Sequence, residues 1–142
     1  MANTLSSLPA GHRSRDHGGP LDGIWDNQLG SELVLEDDGE GGLTGTYRRA
    51  DGLNPDSTYL VRGSYDVMTK GPCRVLGFVV NWSEHQTITV WSGRFNPDDQ
   101  TIGATWLMTT ESDEADEWRS TFVGHDMFRR RPPTSGAAGS GA

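Results

Sequence analysis

The sequence predicts an all-β fold in which eight short strands follow one another as an antiparallel meander. Two observations carry this. Runs rich in β-branched and aromatic residues recur along the chain, each closed by a cluster of Gly, Pro, Asn, Asp or Ser, with almost no helical periodicity between them. The 142 residues include 19 glycines, which suits a fold with many tight turns.

The first run is GIWDN (23–27), which passes through a QLG turn into SELVLE (31–36). DDGEGG (37–42) is a strong turn signal, and the third strand is expected over 43–49. DGLNPDS (51–57) reads as a loop, followed by the alternating run TYLVRGSYDV (58–67). MTKGP (68–72) turns the chain into CRVLGFVVNW (73–82), a long and mostly apolar strand. SEHQ (83–86) is a short turn before TITVWSGRF (87–95), and NPDDQT (96–101) leads into IGATWLMTT (102–110). ESDEADEW (111–118) has room for one helical turn, and RSTFVGHDMF (119–128) is the eighth strand. Residues 1–22 lack periodicity and read as a flexible N-terminal segment. The ending RRRPPTSGAAGSGA is of the same kind, which leaves a folded body of 23–130 and a flexible tail of 131–142.

The chain is long enough for one domain. With 12 Lys and Arg against 20 Asp and Glu, its formal charge of −8 argues against a general nucleic-acid binder, which needs a basic face. No stretch approaches the length of apolar residues that spans a membrane. The opening MANTLSSLPAGHRSRD lacks the apolar core of a signal peptide, leaving either a cytosolic protein or an exported one whose signal has been removed. Cys73 is the single cysteine, so neither an intrachain disulfide nor a Cys-rich zinc site can form. No nucleophile elbow or spaced calcium loop is present, and no acid–base pair stands out, so the chain is not expected to be an enzyme.

The residue faces point to function. Five tryptophans against four phenylalanines is an unusual ratio. Period-two alternation places Leu76, Phe78, Val80 and Trp82 on one face of the fifth strand. It likewise groups Thr87, Thr89, Trp91, Gly93 and Phe95 on the sixth, and Ile102, Ala104, Trp106, Met108 and Thr110 on the seventh. A dry core would carry aliphatic residues where these hydroxyls stand, whereas an apolar pocket with a few placed polar groups has this composition. Eight such strands either stack as two sheets or close into a barrel around a small ligand. Read alone, Asn27 and Ser31 are turn residues, Tyr47 is a strand aromatic, and Asp126 is an acceptor at a strand end.

The motifs WDNQLGS, GGLTGTY, GFVVNW, TITVWSG, TWLMTT and WRSTFVGHD, in this order over about residues 23–129, resemble the avidin/streptavidin family of biotin-binding proteins. The resemblance implies an eight-stranded antiparallel up-and-down barrel with one central ligand pocket, no catalysis and no cofactor. It implies that Asn27, Ser31 and Tyr47 donate to the ureido oxygen of biotin, and that Asp126 accepts a ureido N–H. Thr89 is expected at the ring sulfur, and Thr87 near the carboxylate with backbone amides at Leu53 and Asn54. Trp82, Trp91 and Trp106 are expected to box the rings, beside Leu29 and Met108, with the loop over 51–57 as a lid. Trp118 matches the tryptophan that the family lends across a subunit interface, which favours a homotetramer over a dimer. A secreted or periplasmic protein, with its signal peptide removed, is the matching location.

Two departures from the family stand out. The 83–86 turn is short, which is expected to leave the tail end of the pocket more open. Two residues after Tyr47, where the family carries a Ser or Thr that accepts the other ureido N–H, this chain has Arg49. An arginine only donates. Alternation points Arg49 inward with Tyr47, where its guanidinium would pair with Asp126 and remove that acceptor, unless the strand has already ended or a bulge turns it away. One of the last two is expected, because an arginine buried without a partner is very costly. The alternative function is therefore an avidin-like barrel with weakened biotin binding or with another small-molecule or peptide ligand.

Overall fold

The computed structural model describes residues 18–50, 57–68 and 70–133. Eight strands follow in chain order: β1 (Gly23–Asp26), β2 (Glu32–Asp37), β3 (Gly42–Arg48), β4 (Tyr59–Tyr65), β5 (Arg74–Asn81), β6 (Thr87–Asn96), β7 (Thr101–Thr110) and β8 (Thr121–Arg130). Each pairs antiparallel with its sequence neighbours. The sheet closes where β1 meets β8, with Trp25 opposite Arg130 and Asp26 opposite Arg129. Closure satisfies both sheet edges, so the expected up-and-down barrel forms without crossovers. Two short 3-10 helices, Ser83–His85 and Glu114–Arg119, fill the connections read as a short turn and a single helical turn. No helix among the described residues is long and apolar enough to cross a membrane.

The inward faces follow the expected alternation. Leu33 and Leu35 of β2, Leu76, Phe78 and Val80 of β5, and Trp91 and Phe95 of β6 are all buried. Fully burying such side chains stabilises the barrel by roughly 1.5–3 kcal/mol each. Because the strands alternate in direction, the β1–β2, β3–β4, β5–β6 and β7–β8 connections share one end of the barrel. That end is open, and the candidate site lies there.

The opposite end is sealed by groups drawn from segments the sequence assigned to turns and tails. Leu21, ahead of the first strand, has no exposed surface. Asp37, read as the first residue of a turn, is also fully buried. Its carboxylate accepts from the Leu21 N–H at 2.9 Å, the Gly39 N–H at 2.8 Å and the Tyr65 hydroxyl at 2.7 Å, which offsets its desolvation. Burial, reinforced by the Asp37 hydrogen bond, pushes the Tyr65 phenol up to about 12. Arg130 belongs to β8 and lies 4.4 Å from the centroid of Trp25, capping the barrel floor. It donates to Gln100 Oε1 at 2.7 Å and to the carbonyls of Asp22 and Pro20. Burial holds its pKa below the usual guanidinium range. Arg131 bridges Asp26 at 2.6 Å and Glu32 at 2.8 Å, and Glu32 also pairs with Arg48 at 3.2 Å.

The third strand ends one residue earlier than expected. Arg48 is its last residue, Arg49 lies outside the ladder, and the alternation that pointed Arg49 inward with Tyr47 stops there. The Arg49 side chain is exposed. The lid expected over 51–57 falls, except for Ser57, outside the described residues. So do residues 1–17 of the N-terminal segment and 134–142 of the tail.

Candidate functional site

The site begins with the turn between β1 and β2. Gly30 takes φ +86°, a left-handed conformation that glycine adopts without strain, and donates to the Asn27 carbonyl at 3.1 Å. The side-chain oxygen of Asn27 accepts from the backbone N–H groups of Leu29 at 3.0 Å and Ser31 at 2.9 Å. Those partners only donate, so they fix the amide orientation and turn its NH2 away from the loop. That NH2 lies 3.4 Å from both the Tyr47 hydroxyl and Asp126 Oδ1. The Ser31 hydroxyl oxygen accepts from the Ala50 N–H at 3.1 Å, so its own hydrogen can be directed elsewhere. Asn27, Ser31 and Tyr47 are all buried, which brings three donors to one place.

Asp126 approaches from β8. Its Oδ2 accepts from the Trp91 indole N–H at 2.8 Å, and its Oδ1 from Gln28 Nε2 at 2.9 Å. Gln28 also accepts from the Met127 N–H at 2.9 Å, which ties the β1–β2 turn to β8. The sequence reading passed over Gln28, because a glutamine in a QLG turn has no signal separating it from an ordinary loop residue. The Asp126 carboxylate is 5% exposed and accepts only, so it is positioned to receive an N–H from a ligand.

These groups open onto a cavity of about 250 Å³ at the open end. Its polar lining is Asn27, Ser31, Tyr47, Thr89 and Asp126, and its aromatic lining is Trp82, Trp91 and Trp106. Leu29, Arg49 and Met108 complete it. The tryptophans are held by specific contacts. Trp82 donates to the Thr89 hydroxyl at 2.8 Å and meets Tyr47 and Tyr59 edge-on, with centroids at 5.5 and 4.9 Å. Trp91 stacks on Phe78 at 4.8 Å. Trp106 fits because residue 124 is glycine: a Cβ there would lie 2.2 Å from the indole.

Four expected site residues are not in this lining. Leu53 and Asn54 lie outside the described residues. Thr87 lines a neighbouring outer groove, and its hydroxyl is within hydrogen-bond distance of the His85 carbonyl (2.8 Å) and the Thr110 hydroxyl (2.9 Å). Trp118 is 80% exposed on the Glu114–Arg119 helix, with the Arg119 guanidinium 5.6 Å from its ring. Arg49 does reach the cavity, though not as an inward strand residue: its guanidinium lies 5.5 Å from the Trp82 centroid. Larger grooves of about 500 and 440 Å³ run along the outer wall, but none of their lining residues is buried. Among the described residues no cluster of three or more His, Cys, Asp or Glu side chains could hold a metal ion.

Residues 17–131 match the family model described as Avidin family. Avidin-related protein 7 of Gallus gallus is 31% identical over 119 residues, covering 78% of this chain and 77% of the relative. Avidin of Gallus gallus is 30% identical over 119 residues with the same coverage. With the family model spanning most of the chain and the closed eight-stranded barrel in place, the chain belongs to the avidin family.

Proposed function

We propose that this protein binds biotin tightly and without turnover in the tryptophan-lined cavity. One observation carries the reading: three buried donors, Asn27, Ser31 and Tyr47, and one buried carboxylate, Asp126, converge on a cavity walled by three indoles. A cyclic urea presents one carbonyl oxygen, which suits three donors, and N–H groups, one of which suits Asp126. Charge-assisted hydrogen bonds in so dry a place are stronger than neutral ones. The apolar rings of the ligand would lie against Trp82, Trp91 and Trp106. The cavity is already formed, so binding costs little ordering.

Calorimetric titration with biotin tests this. One equivalent should bind per chain, and Asp126→Ala should weaken binding by about a hundredfold, because a buried charge-assisted acceptor is removed. Failure of the native chain to bind biotin would rule the reading out. A second reading, weakened biotin binding or another small ligand, is favoured by Arg49, which brings a donor where the family places an acceptor.

A homotetramer belongs to the same proposal. Val90, Leu107 and Val123 are exposed and stand in register across β6, β7 and β8, forming an apolar row on the outer wall. Trp118 is the side chain proposed to reach a neighbouring subunit. Light scattering on the native chain and on Trp118→Ala tests this assembly, and a monomeric native chain would contradict it. Export from the cell is proposed on family membership alone.

A further inference from the structure

We infer that Gln28 is a positioning residue of the site: it fixes the Asp126 carboxylate and thereby keeps the Asn27 amide available to the ligand. The inference rests on the biotin reading above. Toward the open end, the last backbone pair between β1 and β8 is Asp26 opposite Arg129, and β1 stops there. In the same register residue 28 would face residue 127. The Gln28 side chain makes that connection in place of the backbone. Its Oε1 accepts from the Met127 N–H at 2.9 Å, and its Nε2 lies 3.4 Å from the His125 carbonyl. A carboxamide is thus seated against an N–H and a C=O on one edge of β8, as a paired strand would be. A backbone N–H only donates, so the Met127 contact fixes which end of the amide is oxygen and turns its NH2 toward Asp126.

The contacts to Asp126 divide between its two oxygens. Oδ2 accepts from the Trp91 indole at 2.8 Å, and Oδ1 accepts from Gln28 Nε2 at 2.9 Å. Asn27 Nδ2 is farther from Oδ1, at 3.4 Å, and equally far from the Tyr47 hydroxyl. Contacts of that length are weak, so the Asn27 amide stands between partners without being committed to either. Gln28 supplies the short bond on the carboxylate side. Without it, Oδ1 would draw in the Asn27 NH2, and the carboxylate would turn from the orientation it presents to a ligand N–H. One rim residue therefore serves both an acceptor and a donor of the site. Gln28 is exposed while Asp126 is buried, so a substitution at 28 leaves the barrel core intact.

The test is calorimetric titration with biotin on the native chain, Gln28→Met and Gln28→Glu. Gln28→Met keeps the length and removes both hydrogen bonds, and should weaken binding by about tenfold. In an Asp126→Ala background, where no carboxylate is left to hold, the same change should cost less than about twofold. Gln28→Glu keeps the acceptor for the Met127 N–H but sets a second carboxylate against Asp126. It should weaken binding by about a hundredfold near pH 8 and recover most of that near pH 5, where the two carboxyls share a proton and residue 28 can donate again. Around position 28 the charged groups are Asp126 and Arg49, which line the cavity, and, outside it, Asp26 paired with Arg131 and His125 near Gly103. Each affinity is taken relative to the native chain at the same pH, which cancels titration of the ligand. A merely structural role would give a loss that does not change with pH. If the native chain binds biotin and Gln28→Met binds as well, or costs as much without Asp126 as with it, the inference fails while the biotin reading stands. If the native chain does not bind biotin, both fail together.

Discussion

The Trp91 indole N–H donates to Oδ2 of Asp126 at 2.8 Å, joining β6 to β8 across β7. The register explains why these two meet. Trp91 stands opposite Trp106, and Trp106 opposite Gly124, so Asp126 lies two residues along the same inward face. The indole thus forms a wall of the cavity and also orients the carboxylate. Trp91→Phe keeps an aromatic wall but removes the donor. Biotin affinity should fall by about tenfold, the worth of one hydrogen bond to a charged group. A titration in which Trp91→Phe binds as well as the native chain would show that Asp126 does not need this contact.

Gly124 is expected to matter through Trp106. A Cβ at 124 would come within 2.2 Å of Cζ2 and 2.5 Å of Cε2 of that indole, so the ring must move. Gly124→Ala should destabilise the fold by about 1–3 kcal/mol, as overpacking does. It should also weaken biotin binding, because the displaced ring belongs to the cavity wall. Thermal melts and titrations on the same preparation separate the two effects. A variant with native stability and native affinity would mean that Trp106 relaxes without cost.

The closed end should give the protein an alkaline sensitivity. The Tyr65 phenol is raised from 10.0 to about 12 by burial and by its hydrogen bond to Asp37. The unfolded chain therefore releases this proton at lower pH than the folded one. The resulting stability is fully present below pH 10 and is lost as pH rises toward 12. Tyr65→Phe removes this component, so its stability should fall less steeply over that window. Denaturant melts from pH 9 to about 12 provide the comparison. Equal slopes for the two proteins would show that Tyr65 does not contribute.

Much of this architecture could be read from the chain because strand alternation is local. The faces carrying Trp82, Trp91 and Trp106 follow from period two alone, and they do face one cavity. The order of short strands and turns likewise anticipated the meander. What escaped depends on contacts between distant segments. Asp37 looked like a turn residue because nothing nearby reveals that Leu21 and Tyr65 will supply its donors. Arg130 looked like the last residue of the folded body and Arg131 like the first of a flexible tail. Only barrel closure brings Arg130 over Trp25 and Arg131 beside Asp26. For Arg49 the sequence left alternatives open, and the end of β3 at Arg48 decides for the one in which the strand has ended before it, because alternation holds only while the strand lasts.

A crystal structure of the protein with biotin would decide how the cavity is used. The ureido oxygen should lie about 3 Å from Asn27 Nδ2, Ser31 Oγ and Tyr47 Oη, with one ureido N–H directed at Asp126. Biotin bound with its ureido ring at the mouth, or found only on the outer wall, would contradict the assignment of these four residues.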